Sequence, residues 1–147
     1  MRTNGILRVI TRFLIPLIML FALYVQFHGE YSPGGGFQAG VLFASAWILF
    51  ALIYGLEAAL EIIPARAQYI GACLGVLLYS GVGLAGVALG GRFLDYDPLL
   101  ASATAAQQAG IILVEFGVGV TVATVAMLFF TYFARRKREF DRLGEDA

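Results

Sequence analysis

Charge is scarce in this sequence. Only 14% of its 147 residues are Asp, Glu, Lys or Arg, against 60% that are hydrophobic, whereas soluble domains carry about 25% charged residues and 45–50% apolar ones. A water-exposed fold of this size could not hide so much apolar surface, so a soluble enzyme is excluded and lipid is the solvent for most of the chain. Excess charge of either sign is missing too. Ten basic residues balance ten acidic ones, which leaves no basic surface for nucleic acid. There is one cysteine and one histidine. Cys73 has no partner for an intrachain disulfide and reads as a small apolar side chain. No cluster of His, Cys and Asp is present to bind a metal, and no nucleophile is paired with a base.

What the chain does have is long apolar runs. Four of them approach or exceed the roughly 20 residues that a membrane-spanning helix needs. They extend from Ile6 to Phe27, Phe37 to Leu56, Tyr69 to Leu89 and Ala109 to Phe133. The expected fold is an all-α membrane protein of four transmembrane helices. Residues 1–133 would form the membrane domain, and 134–147 a short tail of mixed charge, frayed at its end. Pro16 should kink the first helix, which neighbouring helices can tolerate in lipid. Arg2, Arg8 and Arg12 before an apolar run imitate a signal peptide, but no small-x-small cleavage site follows.

Nine of the ten basic residues fall on one side if both termini are cytoplasmic, and basic residues favour the cytoplasmic side. The run Arg135, Arg136, Lys137, Arg138 then reads as a stop-transfer anchor against anionic lipid, with an acidic protein partner as the sharper alternative. Gly71, Gly75 and Gly83 in the third span and Gly119 in the fourth are candidate helix-packing positions, because small residues let helix backbones approach closely in lipid. Four helices offer too few faces to use them all internally, so partner subunits or self-association are expected.

One segment departs from the membrane pattern. It reads Phe27-His28-Gly29-Glu30-Tyr31-Ser32-Pro33-Gly34-Gly35-Gly36-Phe37-Gln38-Ala39-Gly40. Proline followed by three glycines breaks a helix, so the backbone turns here before entering the second span, with free N–H groups at that helix's N-terminus. The segment is either a tight external turn or a re-entrant entrance lined by protein or water. It is not a phosphate loop, since no lysine follows and the spacing is wrong.

Pro33-Gly34-Gly35-Gly36-Phe37-Gln38-Ala39-Gly40, preceded by His28-Gly29, resembles the hallmark of the B subunit of multisubunit Na⁺/H⁺ antiporters of the Mrp or Mnh type. Chain length and the four spans are similar as well. Some relatives carry histidine where this chain has Glu30, so no role is assigned to that position. The resemblance implies a small subunit of a bacterial inner-membrane assembly that exchanges cytoplasmic sodium for external protons. It also implies partners that include large subunits similar to the membrane subunits of respiratory complex I, and no redox cofactor. A B-like subunit of a membrane-bound hydrogenase is an alternative, and so is a small four-helix homodimeric transporter.

Charges inside a span are costly and are functional candidates by default. Glu115 is the clearest, six residues after Ala109 and therefore expected in the outer leaflet. His28 and Glu115 are the candidates for an ion or proton path. The plainer alternatives are a solvated loop histidine and a structural contact to another subunit. Glu57 and Glu61, with Arg66 nearby, read as an interfacial salt bridge, and Asp95 and Asp97 as a solvated turn before Pro98.

Overall fold

The computed structural model describes residues 5–29, 34–97 and 102–145. Among the described residues five helices are present: α1 (Gly5–Phe27), α2 (Gly36–Tyr54), α3 (Leu56–Ile62), α4 (Ala65–Ala88) and α5 (Ala103–Glu145). Four of them, all but α3, are long and apolar enough to cross a membrane. There is no strand among the described residues.

Composition decides which faces meet. Lipid is as apolar as leucine, so helices associate through close packing of small residues, with the bulky ones turned outward. The buried residues include Ala22, Ala39, Ala44, Ala46, Ala51 and Ala123, whereas Phe13, Leu17, Leu77 and Phe129 lie exposed on the outer surface. α5 packs against α2 on one side and α4 on the other, while α1 packs mainly on α2. The spatial order is thus α1, α2, α5, α4. The backbones also come close where α4 crosses α5: a Cβ on Gly75 would fall 2.6 Å from the Gly117 carbonyl oxygen, and one on Gly117 would fall 2.9 Å from that of Gly75. Gly71 faces the Thr124 side chain, and Gly83 faces the ring of Phe93 in the loop that folds back over α4. α1 has few small residues and is the most exposed span.

Three spans differ at their boundaries from those read in the sequence, the third in that α4 starts at Ala65 rather than Tyr69. The second span ends at Tyr54 rather than Leu56, because Gly55 adopts φ +104°, a backbone state that L side chains rarely take. The chain then starts afresh as α3, which carries Glu57 and Glu61 outside the span, both exposed. The last helix begins at Ala103, six residues earlier than expected, and continues without a break past Phe133 to Glu145. Residues 139–145 of the tail expected to fray are therefore helical. Residues 135–137 extend the same rod as an exposed basic turn.

Polar bonds hold the end of the bundle where α2, α3 and α4 meet. Trp47 Nε1–H donates to the Ala59 carbonyl at 3.2 Å, and its ring packs edge-on against Phe130 at 6.2 Å. Gln68, 0% exposed, donates to the Ile63 carbonyl at 3.1 Å and accepts from the Thr131 hydroxyl at 3.3 Å. This one amide ties the α3–α4 turn to α5. Gln68→Leu strands the buried Thr131 hydroxyl and the part-buried Ile63 carbonyl, at up to about 1–3 kcal/mol each. We expect a clear fall in the unfolding temperature of the detergent-purified protein, and an unchanged melting curve would contradict that role.

Candidate functional site

At the opposite end of the bundle α1 stops and α2 starts. His28 and Gly29 form a turn directly after α1. The His28 ring folds back on that helix, stacked on Tyr24 with 4.1 Å between centroids. Its Nδ1 lies 3.1 Å from the Tyr24 carbonyl, to which the tautomer protonated there donates. One of the carbonyls left open at the helix end is satisfied in this way. Glu30 and Pro33 lie outside the described residues. Gly34 is half-buried and Gly35 is buried with φ +142°, after which Gly36 begins α2. Phe37 and Gln38 are exposed, and Gly40 is buried against Gly119 and Ala123 of α5.

α5 brings Glu115 to this junction. It lies twelve residues after Ala103, roughly 18 Å along the helix, deeper from its helix start than the sequence implied. A Cβ on Gly29 would fall 2.7 Å from both Glu115 carboxylate oxygens, and one on Gly35 would fall 3.0 Å from Oε1. A Cβ on Gly36 would collide with the Glu115 backbone carbonyl. Three glycines thus clear the space that the glutamate fills. The half-buried carboxylate sits beside the first turn of α2, whose N–H groups form the positive end of that helix. His28 is one residue from Gly29, so the two ionisable candidates share this corner of the bundle.

The sequence reading missed Gln26. It is only 9% exposed, and Gly119, one turn below Glu115, faces it: a Cβ there would fall 2.7 Å from Gln26 Oε1 and 3.1 Å from the Gly36 carbonyl. Gln26 also lines a cavity of about 280 Å³ together with Leu23, Phe43, Phe116 and Met127. The signal available was a lone amide in an apolar run, since a polar group in a span is costly unless it has a use. Among the described residues no group of three or more His, Cys, Asp or Glu could hold a metal ion.

A family model described as a domain related to the MnhB subunit of Na⁺/H⁺ antiporters matches residues 6–128. The chain belongs to the MnhB family. The matched stretch contains His28, the glycine motif and Glu115, and it ends inside α5 before the basic turn. Individual relatives include proteins named "Putative antiporter subunit mnhB2" from Staphylococcus aureus strains Newman, JH1 and Mu3, each 40% identical over 65 residues. Those 65 residues are 44% of this chain, and they span about half of each relative, 46% of its length. Membership of the MnhB family and four apolar spans make this a multi-pass membrane protein, of a transporter-subunit family rather than an enzyme family.

Proposed function

We propose that this chain is a small integral-membrane subunit of a multisubunit cation/proton antiporter. In this reading it assembles with large complex I-like subunits, and its glycine junction lines an outer-leaflet path for protons or sodium ions. Both termini face the cytoplasm of a bacterial inner membrane, as the basic residues favour. The observation that carries the reading is the enclosure of Glu115 by Gly29, Gly35 and Gly36. It supports a path because a carboxylate in lipid is costly unless it has a use, and because the same three glycines join the family motif to the glutamate. The carboxylate binds a proton or a sodium ion. The positive end of α2 keeps that binding weak enough to reverse, as conduction requires.

The test is mild-detergent purification of the tagged chain from its native host, with mass identification of what accompanies it. Large many-spanning antiporter subunits without iron–sulfur proteins are the expected result. Hydrogenase-type iron–sulfur partners would replace the antiporter reading by the hydrogenase one. A clean homodimer would overturn both.

A further inference from the structure

A groove of about 400 Å³ runs between α1 and α2 at the end of the bundle away from the glycine junction. It is lined by Arg12, Ile15, Pro16, Phe50 and Tyr54. Arg12 is its only charge, and it is exposed. No described residue pairs with the Arg12 guanidinium. Pro16, four residues further along α1, has no N–H, so the Arg12 carbonyl loses its helical donor. A cationic fork of donors and a spare acceptor therefore occur at one point. One turn toward the helix start, the Arg8 guanidinium lies 5.9 Å from the centroid of the Tyr54 ring, and the Tyr54 hydroxyl donates to the Arg8 carbonyl at 2.9 Å.

Depth gives this arrangement its meaning. α2 has 19 residues, about 28 Å of helix, which nearly equals the hydrocarbon thickness of a bilayer. Tyr54 thus marks one boundary of the hydrocarbon, with Arg8 level with it and Arg12 just inside. Apolar walls below and cations at the mouth match one molecule type, a phospholipid with an acyl chain in the groove and its phosphate on arginine. Basic pockets between transmembrane helices favour anionic headgroups for this reason. A choline headgroup would bring its own cation toward Arg8 and offer no hydroxyl to the spare carbonyl. A glycerol headgroup has no cation and supplies hydroxyls.

We propose that this groove binds one anionic phospholipid, with its phosphate on Arg12 and Arg8 and an acyl chain along Ile15, Pro16 and Phe50. The assignment needs the bundle to sit in a bilayer but does not need the antiport reading. The test is native mass spectrometry of the full chain, purified with whatever subunits accompany it, after exposure to equal amounts of phosphatidylglycerol and phosphatidylcholine. One phosphatidylglycerol per chain should be retained with at least tenfold preference. R12Q should abolish that preference, and R12K, which keeps the charge but not the planar fork, should keep part of it. R135Q, on the exposed basic turn, should change nothing. A photo-crosslinker in place of Phe50 should yield a lipid adduct. Wild-type retention by R12Q, equal loss in R135Q, or a Phe50 crosslink to another polypeptide would each overturn the proposal, the last by making the groove a protein-docking site.

Discussion

Gly36→Ala is expected to cut accumulation of the chain in membranes several-fold and to lower the melting temperature of what remains. The added methyl would collide with the backbone carbonyl of Glu115. Neither group can rotate away, because both belong to helix backbone. α2 and α5 would have to move apart, and their contact continues four residues on at Gly40, where an added Cβ would fall 2.6 Å from the Gly119 carbonyl. Over-packing costs typically 1–3 kcal/mol even where side chains can yield, and here none can. Gly81 is the control. Nothing lies within 4 Å of a Cβ built there, so Gly81→Ala should be neutral or gain up to about 1 kcal/mol from helix propensity. If the two variants accumulate and melt alike, the close approach of α2 to α5 is refuted.

The spans were legible because lipid imposes a length and a polarity that sequence displays directly. The first run was read as Ile6 to Phe27, and α1 is Gly5–Phe27. What lipid does not select was harder to read. Gly55 interrupts an apolar run that carries on through Leu56, and nothing in hydropathy announces φ +104°. The apolar part of α5 marks only its bilayer segment, whereas polar helix formers on both sides prolong the rod to 43 residues. Helix order was invisible for a related reason: α2 and α4, apolar on every face, carry no amphipathic stripe to show which side is buried. Only the placement of glycine and alanine hints at it. Glu115 stood out as a lone charge, but its neighbours Gly29, Gly35 and Gly36 come from a distant stretch of chain. They became its neighbours because α5 packs beside α2.

Glu115→Gln tests the proposed path itself, with a large effect expected. Glutamine keeps the shape of glutamate, so the spaces at Gly29 and Gly35 remain filled and the α2–α5 contact is undisturbed. The complex should assemble at wild-type level. What disappears is the titratable charge. An amide can neither bind and release a proton in the physiological range nor balance a monovalent cation, so Na⁺-dependent proton flux in everted vesicles should fall at least tenfold or lose its normal pH profile. A tenfold loss corresponds to about 1.4 kcal/mol of barrier. Glu115→Asp retains the charge but draws it one methylene back from Gly29 and Gly35, and its activity should be intermediate. The pair also separates two roles that share one geometry. If the carboxylate only clamps the junction, shape matters more than charge. Glutamine would then preserve activity at every pH while aspartate, too short to fill the space, would impair assembly. That reversed order would remove Glu115 from any ion path and leave it as packing.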